Sequence, residues 1–227
     1  MFDIYRIPSL KQETREGRSV GGMRISVRRE TPLPHKLFGK FLRVNENKTE
    51  LFELIANTVV SQCNSPTIVC TRSSEVIANM PISTDFLSPC NHEEADTRLF
   101  VHVNDAVSNG HRKVMIIAND ADVVVIALSI FHSIDVDELW IEYGTGTSRR
   151  WLPIHTYAMS LGEELCRALL FWFVFTGCDT VSSFCGRGKK TAWDIWGSYL
   201  EATETFIRFR NHFYLRILHP KFSPFFF

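Results

Sequence analysis

Asp120 and Asp122 are the residues in this chain best suited to chemistry. They stand in Asn119-Asp120-Ala121-Asp122, between the Val- and Ile-rich runs Val114–Ala118 and Val123–Leu128. Carboxylates this close to apolar segments cost desolvation energy, and like charges at close range repel. A divalent cation with oxygen ligands, Mg²⁺ above all, offsets both costs. An Asp-x-Asp turn without metal is the alternative. Glu93, Glu94 and Asp96 form a second acidic group at the start of an expected helix, where the helix dipole by itself favours acids. Asp179, in Thr176-Gly177-Cys178-Asp179-Thr180, follows the longest apolar run, Ala168–Phe175, and a helix-capping role is open to it as well. Three acidic groups, each beside an apolar element, favour a shared metal site over three independent caps. Gly186-Arg187-Gly188-Lys189-Lys190 lies just downstream. Two glycines let backbone amides approach a phosphate and the lysines add charge, although the string lacks the G-x-x-x-x-G-K-[ST] of a Walker A loop.

The elements that must position these residues alternate between strand and helix. Met1–Tyr5 is expected as a short strand, and residues 10–29 as a loop or short exposed helix. Glu46–Gln62 repeats apolar residues at helical spacing, with Asn47 or Thr49 as its cap. Thr67–Thr71 reads as a strand. His92–Ser108 reads as a helix with Ala95, Leu99, Val103 and Ala106 on one face, closed by Asn109-Gly110. Val114–Ala118, Val123–Leu128 and Glu138–Tyr143 read as strands, Leu161–Phe175 as a helix or other buried element, and residues 190–210 as helical. Near-continuous apolar strands separated by helices predict an α/β fold with a mostly parallel central sheet flanked by helices.

Charge is segregated although lysine plus arginine (25) balance aspartate plus glutamate (25). Residues 1–43 carry +6, 44–92 carry −3, 93–142 carry −7 and 143–227 carry +4. An acidic centre between basic arms suits a metal-dependent enzyme acting on a polyanion. Hydrophobic content of 45% and charged content of 22% exclude a disordered tail protein, a collagen and a coiled coil. Ala168–Phe175 is too short to span a bilayer. Asp3, Arg6 and Lys11 interrupt the start, so no signal peptide is expected and the six cysteines, without a C-x-x-C pair, are expected as free thiols. Cys90-x-His92 is half of a zinc site whose second half is missing. The expectation is an intracellular protein, the nucleus included, with no membrane partner.

The order of motifs resembles the flap endonuclease/XPG nucleases of the PIN-like superfamily. Phe2-Asp3-Ile4, Pro8-Ser9-Leu10-Lys11 and the spaced Arg15 and Arg18 match the family's Phe-Asp-Gly, Pro-x-Leu-Lys and arginines. Glu94-Ala95-Asp96-Thr97 matches its Glu-Ala-Glu-Ala, Asp120-Ala121-Asp122 its Asp-x-Asp, and Gly177-Cys178-Asp179 its Gly-Ser-Asp. Gly186 to Ala192 matches the Gly-Ile-Gly-x-Lys-x-Ala of its helix–two-turn–helix. The likeness runs in order over most of residues 1–200. Ile4 replaces a glycine, and the family has a further strand and Asp upstream of Met1, so an N-terminal truncation is expected.

The resemblance implies a nuclease core over residues 1–180 and a helical DNA-binding segment over 181–227. It also implies hydrolysis of phosphodiesters in branched or duplex DNA with two Mg²⁺ or Mn²⁺ ions. Asp3, Glu94, Asp96, Asp120, Asp122 and Asp179 would then be metal ligands, with Glu93 as the substitute if the register slips by one. Lys11 and Arg18 would steer the scissile phosphate, and Arg15, Gly186, Gly188, Lys189 and Lys190 would bind nucleic acid. The alternatives are an inactive nucleic-acid-binding relative and a phosphatase of the haloacid dehalogenase type.

Overall fold

The structure, a computed structural model, describes residues 1–5, 17, 19–178 and 185–214. It divides into two compact units, Met1–Arg98 and Leu99–Phe227, whereas the resemblance places a division near residue 180. The class is α/β, as expected. The sheets are small: a two-stranded one of β1 (Val69–Arg72) and β2 (Glu75–Ala78), and a three-stranded one in the order β3 (Lys113–Ile117), β4 (Glu138–Tyr143), β5 (Arg150–Pro153). Among the described residues β3 and β4 run parallel and both other pairings are antiparallel, so the expected mostly parallel central sheet is not shown. Met1–Tyr5 is likewise not a strand.

In the first unit, a helical turn α1 (Phe38–Phe41) precedes α2 (Asn45–Gln62), which packs on the β1–β2 hairpin. The residue before α2 is Val44, which has no capping side chain, and neither Asn47 nor Thr49 acts as the N-cap. Asn47 is fully buried inside α2 and binds the preceding loop instead. Its Nδ2 donates to Met23 O (2.7 Å) and Phe41 O (2.8 Å), and its Oδ1 accepts from Ile25 N (3.0 Å) and Arg24 Nη1 (2.9 Å). Both amide protons and both oxygen lone pairs are thereby used. Arg98, in the first turn of α3 (Ala95–Ser108), is also buried, and its guanidinium donates to Ser73 O and, at 2.9 Å, to Glu75 O. That clamp holds the hairpin turn, where Ser73 takes a φ of 53°.

In the second unit, β3 and β4 are joined through α4 (Ala121–Ile130). Val123–Leu128 is therefore helix, where a strand was expected. A short apolar run cannot be told from a buried helix by periodicity. Two features of the fold decide it. Parallel neighbours need a crossover connection, and the Asp120 carboxylate caps the helix, its Oδ1 accepting from Asp122 N at 2.9 Å. Val123, Ile126, Ala127, Leu128 and Ile130 are all buried, so the run is apolar on most sides because most sides meet protein.

α5 (Ile154–Leu161) and α6 (Glu163–Phe175) meet at Gly162, whose φ of 82° turns the chain between them. α7 (Lys189–Ser198) and α8 (Ala202–Tyr214) follow. α8 lies along α6, with Phe171 stacked on Phe209 (5.0 Å), and Trp172 stacks on Trp196 of α7 (5.6 Å). Such aromatic pairs contribute about 0.5–1.5 kcal/mol beyond area burial. Trp196 Nε1 donates to Thr203 Oγ1 (3.0 Å), and buried Arg210 donates to Ser129 O (3.0 Å) near the end of α4. The core runs from Phe100 and Val103 through Ile116, Leu139 and Ile141 to Leu169 and Trp172. Among the described residues no helix is long and apolar enough to cross a membrane.

Two predictions follow from these contacts. Asn47→Ala would leave two buried carbonyls and an amide without a side-chain partner, and urea unfolding of the full chain should show a loss of about 2–4 kcal/mol. Cys166 is buried, and burial pushes its thiol up to about 11, from an ordinary 9.0. A raised native pKa contributes stability below the unfolded value, and that stability is lost as pH rises from about 9 through 11. Iodoacetamide mapping at mild alkaline pH should label exposed Cys185 first and Cys166 only on unfolding.

Candidate functional site

In the second unit, Asp120 and Asp122 lie at the carboxyl end of β3, where the strand gives way to α4. In open α/β sheets that end is where ligands bind. Asp120 is exposed and Asp122 half-buried. The cap bond occupies Asp120 Oδ1 and leaves Oδ2 for a cation. Asn119 Oδ1 accepts from Gly144 N at 3.0 Å, which ties this turn to the β4–β5 connection. Gly144 has a φ of 91°, and a Cβ there would fall 2.5 Å from Ser148 O, so the position excludes other residues.

Lys189 belongs to the same unit. Its ammonium donates to Gly177 O (2.6 Å), Phe173 O (2.8 Å) and Thr176 Oγ1 (3.2 Å), and sits 3.7 Å from the Phe173 ring centre. These are end-of-helix acceptors of α6, so Lys189 closes that helix. Burial pushes its pKa down, while Cys178 and the Asp122 carboxylate favour its charge. Lys189 thus links two of the acidic motifs: it lies within electrostatic reach of Asp122 and of Cys178, the residue before Asp179. Lys189, which the resemblance assigns to nucleic acid, is half-buried and bound to carbonyls; Lys190, next along α7, is exposed. Gly186 takes a φ of 69°, and Gly188 is the N-cap of α7.

In the first unit, Asp3 is brought to the start of α3. Its Oδ1 accepts from Ala95 N (2.8 Å), and Ile4 N donates to Glu93 O (2.7 Å). These bonds join residues about ninety positions apart and place the Asp3 segment against the one that carries Glu94 and Asp96. Half-buried Glu93, Glu94 and Asp96 lie at or beside the first turn, where the dipole favours anions. Buried His92 packs beside them, with Nδ1 3.0 Å from Thr97 Oγ1. Asp3 also lines a cavity of about 70 Å³ with Phe2, Phe52, Glu53 and Arg72. Lys11, Arg15, Arg18 and Asp179 lie outside the described residues.

Among the described residues no group of three or more His, Cys, Asp or Glu side chains is arranged to hold a metal ion. Asp120 and Asp122 offer two carboxylates, which fits Mg²⁺, an ion usually held by one or two carboxylates with waters and substrate phosphates completing its shell. The sequence reading overlooked Arg149, Arg150 and Trp151, which the β4–β5 connection brings to this same end of the sheet. Adjacent arginines beside a tryptophan after Gly144-Thr145-Gly146 were the available signal. Compared with family models, curated proteins and solved structures, the chain matches none.

Lys189→Met keeps the aliphatic stem and removes the three hydrogen bonds at the end of α6. Thermal or urea unfolding should report a loss of about 1–3 kcal/mol. An unchanged midpoint would show that the ammonium does not hold the helix end.

Proposed function

We propose that this chain is a divalent-metal-dependent endonuclease that hydrolyses nucleic-acid phosphodiester bonds. The observation that carries the reading is the position of Asp120 and Asp122 at the carboxyl end of the parallel β3–β4 pair, with Lys189 within electrostatic reach of Asp122. In the first unit the family resemblance singles out Glu94, Asp96 and Asp3, whose segments the Asp3–Ala95 and Ile4–Glu93 bonds join, and in the sequence it singles out Asp179. It also supplies the expectation of two Mg²⁺ or Mn²⁺ ions.

Bound there, the metal would acidify a water and offset charge on the phosphate. The chain's own residues do the positioning. The cap bond to Asp122 N fixes the Asp120 carboxylate and leaves one oxygen facing outward. The Asn119–Gly144 bond holds the turn against the neighbouring loop, so the acids sit on a braced edge. Lys189 and Asp122 lie within electrostatic reach of each other, so each favours the other's charge. Exposed Lys190 is a candidate for a phosphate contact away from the cut. Two described carboxylates at this edge also suit the second reading, a relative that binds nucleic acid without cutting it.

Asp120→Asn separates these readings. Asparagine caps helices as well as aspartate does, so stability should change by less than about 0.5 kcal/mol. Cleavage of branched DNA in Mg²⁺ or Mn²⁺ should fall by about a hundredfold or more, and DNA binding should persist. Cutting that needs no metal, or that survives this change, would refute the assignment. Binding without cutting by the unaltered chain would establish the second reading, and hydrolysis of a phosphomonoester alone would point to a phosphatase.

A further inference from the structure

The core face of the β3–β4–β5 sheet is apolar until its last row. Ile116, Ile141 and Leu152 stand in register on that face. The bond from Ala118 N to Glu142 O (3.1 Å) carries the β3–β4 ladder one residue further. The next row on the same face is therefore Ala118, Tyr143 and Arg150, the last two paired by register. Ala118 and Tyr143 pack against the core, while Arg150 is exposed. Its guanidinium lies 5.4 Å from the Tyr143 ring centre, a cation–π contact that holds it over the ring.

Charge pairing sets Arg150 apart from the other cations of this sheet. Arg112 is bound by Asp135 and Asp137, Lys113 by Glu138 at 2.6 Å and Arg149 by Glu142 at 3.1 Å. Arg150 has no acidic partner among the described residues. It also stands at the end of the sheet where the acids are. The Asp120–Asp122 turn follows Ala118, and α4, which begins in that turn, packs on the same core face. Arg150 lies two strands across from Ala118, about 10 Å at ordinary strand spacing. A group that bridges this gap must present an anion to the guanidinium and, through a cation, to the two carboxylates. A phosphodiester does both: its oxygens accept from a guanidinium and coordinate a divalent ion.

We infer that Arg150 is a phosphate-binding residue of this site, holding the substrate phosphodiester against the acidic turn. The inference rests on the nuclease reading for the chemistry at Asp120 and Asp122, and it adds a residue that the family resemblance does not single out.

The test uses the full chain and reads binding and cutting separately. Affinity for a fluorescein-labelled duplex is measured by anisotropy in EDTA over a series of salt concentrations. Arg150→Ala should flatten the slope of log K against log salt by about 0.9, the share of one phosphate contact on duplex DNA. Arg150→Lys, which keeps the charge, should restore most of the slope. Lys113→Ala removes a cation that Glu138 already pairs at the amino end of β3, and should leave the slope unchanged. In Mg²⁺, cutting of branched DNA should fall about a hundredfold in Arg150→Ala and recover only in part in Arg150→Lys, because an ammonium lacks the guanidinium fork. A wild-type slope in Arg150→Ala overturns the contact, as does an equal loss of slope in Lys113→Ala, undiminished cutting by Arg150→Ala, or a chain with no measurable affinity for the duplex. Asp120→Asn keeps the two questions apart. Undiminished cutting by that variant sinks the cleavage site, while the Arg150 slope, measured without metal, still decides the phosphate contact. The slope decides in the same way if the unaltered chain binds DNA without cutting it.

Discussion

Two strands that run parallel must be joined by a chain that crosses back over the sheet, and most of the second unit depends on that constraint at β3 and β4. It turns the apolar stretch after Asp122 into α4 and sets the Asp120–Asp122 turn at the sheet's carboxyl end. The same constraint buries α4 between the sheet and α6, so the Val and Ile side chains that would suit a strand serve a helix core. The carboxylate that ends the strand starts the helix, through the bond from Asp122 N to Asp120 Oδ1. One residue is thus a structural cap and a candidate ligand, which its two oxygens permit.

Buried polar side chains hold the backbone where hydrogen-bonded ladders stop. Asn47 satisfies the loop before α2, Arg98 the β1–β2 turn, Arg210 the end of α4 and Lys189 the end of α6. Each donates to backbone carbonyls that are at least partly removed from water, and leaving a buried acceptor unpaired costs about 1–3 kcal/mol. The consequence for function is placement. By binding the end of α6, Lys189 puts a positive charge within electrostatic reach of Asp122.

The β3–β4–β5 sheet turns one face to the core and leaves apolar residues of the other exposed. Helices bury Ile116, Leu139 and Ile141 on one side, while Ile117 and Trp151 meet water on the other. Parallel strands usually need both faces covered. β5 is antiparallel and begins where the glycine-containing connection from β4 ends, with Arg149 paired to Glu142 and Arg150 beside the Tyr143 ring. The acids at the strand end and this exposed face belong to one unit, and Glu138 and Glu142 are each paired with a cation.

By itself the sequence determined the elements with strong periodicity or clear punctuation. The helix over residues 45–62, the helix ending at Asn109-Gly110, the strands at 113–117 and 138–143 and the helices after residue 188 were all legible, because side-chain spacing and left-handed glycines act locally. It also marked Asp120 and Asp122, since paired acids between apolar runs are rare without a reason. Tertiary structure alone decided three things. It made Val123–Leu128 a helix, because a crossover was required there. It made Asn47 a loop clamp and Lys189 a helix cap, because partners distant in sequence supplied the carbonyls. It brought Asp3 to Ala95, about ninety positions away, and set Ile117 and Trp151 on either side of Glu142 in one cross-strand row. Those pairings depend on strand register and on the route of the chain, which no local pattern of residue types encodes.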